Sequence, residues 1–138
     1  LTDRIERNDV FVERMMASMM GVRLAQPFAG YLVIDPANPT IPRGMFVIND
    51  VANGNAELSA VGKKCWTVPV VRAVARMLFH DMHVTRVTAR TRPSNQWAMR
   101  ALKAMGFVRE GTARHWYRDG EDAAVFGLLA SEQRIVRV

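Results

Sequence analysis

The sequence predicts a mixed α/β (α+β) domain, in which meander strands are followed by β-α-β-α-β and helices pack on the resulting sheet. Three observations carry this. Short apolar runs of strand length are bounded by Pro, Asn and Gly in the first half. Two segments with apolar residues at helical spacing alternate with strands in the second half. Asn53-Gly54-Asn55 and Arg118-Asp119-Gly120-Glu121 are hairpin turn signals between neighbouring strands.

The elements follow in order. Residues 3–20 space Val12, Met15, Met16, Met19 and Met20 as a helix, which Asn8 or Asp9 would cap. Residues 30–34 and 44–48 read as strands joined by a Pro-rich loop, and a third strand, 56–61, follows the Asn-Gly turn. Thr67 is a suitable N-cap for a second helix, with Pro69 in its first turn and a stripe of Val70, Val71, Val74, Met77 and Leu78. Residues 84–91 alternate as a strand that Pro93 stops. Ser94-Asn95 caps a third helix, with Ala98, Ala101, Leu102 and Met105 inside and Gly106 closing it. Phe107 begins the next strand, and residues 123–129 return alongside it.

The chain has 138 residues and no repeat, low-complexity block or Ser/Gly-rich linker, so a single domain is expected over 1–138. With 49% hydrophobic and 23% charged residues the composition is that of a folded domain rather than a disordered one. No apolar run approaches the roughly 20 residues that span a bilayer, and no secretion signal is evident. A lone cysteine, Cys65, forms neither an internal disulfide nor a Cys-based zinc site, and His80 and His83 lack the partners of a metal centre. No metal and a cytoplasmic, reducing location are the expectations.

The net charge of +6 is unevenly placed. Residues 1–61 sum to −2, residues 62–118 to +10 and residues 119–138 to −2. An anion is therefore expected at the middle segment. A nucleic acid is one such anion, but Arg72, Arg76 and Arg100 belong to no recognisable reading motif and aromatic interleaving is sparse. Arg90 and Arg92 end a strand near helix starts, where they either meet a phosphate or are ordinary surface charge.

The strongest local signal runs from Pro93-Ser94-Asn95 through Arg100 to Gly106-Phe107, followed by Arg109-Glu110-Gly111. This segment resembles the C-terminal half of the GCN5-related N-acetyltransferases (GNAT), in particular the ribosomal-protein acetyltransferases. Residues 111–121 and then 124–129 look like the final hairpin of that group. The resemblance covers residues 84–130 best. It implies a mostly antiparallel twisted sheet with a central parallel pair, and acetyl-CoA as co-substrate between the two parallel strands.

Carried onto this chain, the resemblance places the pantetheine-binding strand at residues 57–61 and the pyrophosphate loop at residues 62–67. The cofactor-binding candidates are then Ala60, Val61, Gly62, Lys63, Lys64, Thr67 and Asn95. The family's glycine-rich signature is absent from that loop, where Cys65 and Trp66 stand instead. Glu57 is the candidate base, its alternative being a solvated carboxylate at a strand start. The tyrosine acid that many members carry on the last helix corresponds to Leu102. Tyr117 is the replacement candidate, with His115 and Ser94 behind it, and hairpin packing or capping are their alternatives.

Two functions follow from the resemblance. The first is direct acetyl transfer to an amine of a protein N-terminus, a lysine or a small molecule, with a homodimer as one arrangement. The second is a catalytically inactive domain of the same fold, such as a phage internal virion component, which shares a Cys-Trp after the corresponding strand.

Overall fold

The computed structural model describes residues 3–21, 23–62 and 65–137. Seven strands, β1 (Arg4–Arg7), β2 (Phe28–Ile34), β3 (Gly44–Ala52), β4 (Asn55–Val61), β5 (Arg86–Thr91), β6 (Val108–Ala113) and β7 (Ala123–Leu129), form one sheet in the order β1-β2-β3-β4-β5-β7-β6. Every pairing is antiparallel except β4 with β5. The helices are α1 (Asp9–Met20), α2 (Val68–Ala75) and α3 (Gln96–Ala104), and α2 runs on into a wide π-helical turn at Arg76–Asp81.

The chain opens on a strand and not on the helix that the spacing suggests. Arg4–Arg7 pairs with β2, and an ion pair of 2.9 Å joins Arg4 to Glu6. An edge strand built from charges carries no apolar alternation, so periodicity misses it. The helix starts at Asp9, where the Asn8 side chain accepts from the Phe11 N–H at 3.1 Å. Asp9 accepts from the Gly30 N–H at 2.8 Å and so ties α1 to β2. Only glycine fits at position 30, because a Cβ there would stand 2.7 Å from Val12 Cβ.

The two sheet faces are covered unequally. Phe28, Leu32, Met45 and Val47 meet Val12 and Met16 of α1 on one face. Val33, Phe46, Ile48, Val87, Phe126 and Leu128 on the other meet Val70, Val74, Leu78 and Phe79 of α2 and its π turn. Each such side chain, fully buried, is worth about 1.5–3 kcal/mol. Of the helical methionines, Met16 is core while Met19 is 58% exposed. No residue of α3 is fully buried; Met99, Leu102 and Met105 lie against the second face.

The Asn53-Gly54 turn joins β3 to β4 with positive φ at both residues. The second turn is shifted by one residue from the expected tetrad: Gly120 N–H donates to the Tyr117 carbonyl, and Tyr117 N–H to that of Glu121. Strand β5 starts at Arg86 rather than Val84, and β6 at Val108 rather than Phe107; Val84 and Phe107 are buried just before those strands.

Candidate active site

The parallel ladder between β4 and β5 runs from the Asn55–Arg86 pair to the Leu58–Ala89 pair and stops there. Strand β4 continues to Val61 paired only with β3, and β5 to Thr91 paired only with β7. The two strands diverge, and their backbone N–H and C=O groups face a cleft of about 1360 Å³. Unpaired backbone donors and acceptors at such an opening suit an extended polar chain laid between the strands. Among the sequence candidates, Glu57, Ala60, Val61, Gly62, Asn95 and Tyr117 line this cleft. Thr67 does not, and Lys63 and Lys64 lie outside the described residues.

Register places Glu57 beside Asn49 of β3 and Thr88 of β5, on the sheet face that α1 covers. It is not a simple solvated carboxylate. The Arg90 guanidinium pairs with its Oε1, and the indole of Trp116 lies 4.6 Å from the same guanidinium. Asn49 Oδ1 and Arg90 Nε, both buried, have no hydrogen-bond partner among the described residues. Neither Asn49 nor Trp116 stands out in the sequence, since only the sheet register and the loop path bring them to Glu57.

Tyr117 is held by Arg92, two residues beyond Arg90 along the chain. Its ring lies 4.0 Å from the Arg92 guanidinium, which bonds Asp119 at 2.7 Å and Glu121 at 3.0 Å. Burial raises the phenol pKa, and the nearby Arg92 charge opposes that rise. Ser94 does not cap the helix: its hydroxyl and N–H both donate to Glu121, at 3.0 and 3.1 Å. The Ser94 hydroxyl, then Arg92, hold the Glu121 carboxyl below its ordinary range. Both strand-end arginines are thus engaged by protein groups rather than offered to a phosphate. His115 is exposed; its N–H donates to Asp122 at 2.8 Å, and its ring lies against Gly120.

The remaining candidates surround the start of α2. Gly62 has φ +105°, and a Cβ on it would meet the Arg43 carbonyl at 2.8 Å and Gly44 Cα at 2.9 Å, so glycine is required twice over. Cys65 is fully buried beneath Gly44 and its thiol is pushed up to about 11, chiefly by burial, which leaves it unreactive filler. Trp66 packs on Phe46 at 5.9 Å, and Phe46 in turn stacks with Tyr31 at 4.9 Å. Thr67 Oγ1 accepts from the Val70 N–H at 3.5 Å, and Pro69 has no N–H to give. The helix start therefore keeps fewer free donors than an uncapped one.

A second groove of about 660 Å³ lies between α2 and α3, with Trp66, Trp97, Arg72 and Arg134 on its walls. Asn95 Oδ1 caps α3 by accepting from the Ala98 N–H at 3.1 Å, and the same residue lines the main cleft. Capping and cleft lining therefore coexist at one position.

No family model matches the chain. A stretch of 57 residues, 41% of the chain, is 40% identical to a kanamycin resistance protein of Rhizobium radiobacter and covers 52% of it. An aminoglycoside N(6′)-acetyltransferase type 1 of Klebsiella pneumoniae is matched at the same identity and length over 28% of its own sequence. The match thus spans about half or less of these relatives. Among solved structures, a mutant form of the spermidine/spermine N-acetyltransferase SpeG from Vibrio cholerae superposes with a TM-score of 0.77 at 11% identity, covering 94% of this chain and 96% of that one. An acetyltransferase of the GNAT family from Bacillus anthracis gives 0.63 at 22% identity, over 75% and 67%.

The chain has the GNAT fold. The expected architecture stands: a mostly antiparallel sheet, one central parallel pair and helices on both faces. Two positions remain distinctive within it. Leu102, where many members of the fold carry a tyrosine, packs against the core, and Cys65-Trp66 fills the loop before α2 with anchored bulk.

Proposed function

We propose that this domain transfers the acetyl group of acetyl-CoA directly to an amine. The observation that carries the reading is the divergence of β4 from β5 beyond Leu58 and Ala89, which opens one cleft to Glu57, Asn95 and Tyr117 together. Acetyl-CoA supplies the activated thioester. The free edge of Ser59–Val61 fits its pantetheine arm, and the tight Gly62 bend carries the chain from that edge to the α2 start. With few free N–H donors at that start, Arg72 and the adjacent groove between Trp66 and Trp97 take the phosphate and adenine end.

Glu57 takes a proton from the acceptor ammonium and frees the amine lone pair. The C–N bond then forms as the C–S bond breaks. Tyr117, kept protonated by burial, gives its proton to the leaving sulfur and regains one from the newly acylated nitrogen, while the proton on Glu57 passes to solvent. Asn95 holds the cofactor side of the cleft while capping α3.

The acceptor is a protein or small-molecule amine, and the relatives named above support that class. The setting is the cytoplasm, where acetyl-CoA is available. A homodimer through the exposed edge strand β6 is the assembly the sheet best allows. The inactive-domain alternative, including a phage virion component, rests on Cys65-Trp66 and Leu102. An open cleft bordered by candidate acid and base favours the enzyme.

Calorimetric titration with acetyl-CoA tests the reading. Saturable binding accompanied by amine-dependent thiol release is expected, and no heat at millimolar cofactor would overturn it.

A further inference from the structure

We infer that the acceptor amine carries an anionic group, a carboxylate or a phosphate, and is not a polycation. The inference rests on the transferase reading and deepens it. A polycation needs free carboxylates and open aromatic faces. Here the Glu57 carboxylate is already matched by Arg90, the Trp116 face by the same guanidinium, and the Tyr117 face by Arg92. Apart from Asp50, the cleft groups that would hold a second or third ammonium are engaged from within the protein.

What remains unmatched on the cleft wall is mainly positive. Arg23 and Arg118 line the cleft and have no hydrogen bond or ion pair among the described residues, whereas Asp50 is the unmatched acid on that wall. Arg23 follows α1, which covers the Glu57 face. Arg118 belongs to the loop whose Trp116 lies on Arg90. Both therefore stand on the acceptor side, while Arg72 and Arg134 serve the groove beside α2, where the coenzyme phosphates are placed. The phosphates of the coenzyme do not account for the first pair. An amine that leads with its ammonium to Glu57 and trails an anion toward Arg23 and Arg118 satisfies both ends.

Thiol release is measured with four acceptors: a peptide beginning with two aspartates, glucosamine 6-phosphate, spermidine and kanamycin. At least one anionic amine is expected to exceed both polycations in kcat/KM by about tenfold or more, and the preferred one tells carboxylate from phosphate. Arg118→Glu and Arg23→Glu, singly and together, are expected to raise KM for that amine about tenfold while kcat changes little. Added salt should narrow the preference. Spermidine or kanamycin ahead of both anionic amines would overturn the inference. So would an unchanged preference in the double variant, or binding of acetyl-CoA with no turnover of either anionic amine. A protein that binds no acetyl-CoA would instead remove the transferase reading itself.

Discussion

The carboxylate of Glu57 on β4 is joined to the guanidinium of Arg90 on β5, one residue beyond the last pair of the parallel ladder. The ion pair bridges the strands where their backbones stop doing so. It engages the carboxylate through Oε1, from the β5 side. Arg90 thereby acts as a positioning residue for the candidate base, and Trp116 covers the guanidinium from the loop.

Glu57→Gln is accordingly expected to lower turnover about 100-fold or more, with acetyl-CoA affinity within about twofold, because general-base catalysis is commonly worth 10²–10⁴. Steady-state kinetics alongside calorimetry reads both quantities. Turnover within a factor of about three of the parent would take Glu57 out of the mechanism. Arg90→Met should cost less in turnover, and Arg90→Lys, which keeps the charge, should recover part of that loss, whereas a role in packing alone would give no such rescue.

Acid stability depends on a second pair. Arg86 holds Glu110 through two contacts over Gly127, and its hydrogen bond keeps the Glu110 carboxyl below the ordinary range. A carboxyl with a depressed folded pKa stabilises the fold above its unfolded value, about 4.3. That contribution is lost as pH falls through the folded value. Arg86→Met should therefore flatten the pH dependence of the urea midpoint below about pH 5 and leave its slope near neutrality unchanged. A parent-like acid limb in the variant would show that the pair is idle.

Much of this architecture is legible in the residues themselves. Asn8, Thr67 and Asn95 announce the three helix starts, and Asn53-Gly54 announces its hairpin, because caps and two-residue turns are local chemistry. Strand β1 is not legible, since Arg4–Arg7 gains its conformation from pairing with β2 rather than from a pattern of its own. The site shows the same division. Glu57 and Asn95, candidates by resemblance, and Tyr117, the replacement for the tyrosine missing at Leu102, do share one cleft. The partners that decide their chemistry, Arg90 and Arg92, come from the register of β5 and the path of the loop before β7, neither of which short spacing encodes. Ser94 shows the cost of local reading: next to Asn95 it looks like a cap, yet Glu121, distant in sequence, claims it.

Cys65 offers a test of the loop before α2. Its thiol, raised to about 11 by burial, should resist a disulfide reagent at about pH 8 and react fully after unfolding in guanidinium. A folded pKa above the ordinary value of 9.0 means that its contribution to stability is complete below pH 9 and declines as pH rises toward 11. Cys65→Ala should remove that part of the alkaline decline, whose slope is at most roughly 1.4 kcal/mol per pH unit for one proton. Tyr117→Phe serves as the companion variant, because burial raises that phenol as well. Rapid labelling of the native protein would mean that the loop opens freely.

Two glycines separate backbone demand from side-chain space. Gly62→Ala meets a positive φ and two backbone atoms under 3.0 Å at once, neither of which yields cheaply. A loss of about 1–3 kcal/mol is expected from the backbone conformation alone. The bend also delivers the chain from the open edge of β4 to α2, so acetyl-CoA affinity should fall along with the denaturant midpoint. Gly111→Ala, on β6, meets nothing within 4 Å and requires no positive φ. There the added methyl mainly restricts the unfolded chain, for a gain of about 0.4–1 kcal/mol. Chemical denaturation of the two variants measures the contrast. Equal midpoints would contradict the close approach of Gly62 to Arg43 and Gly44, and with it the path by which β4 reaches the cofactor end of the cleft.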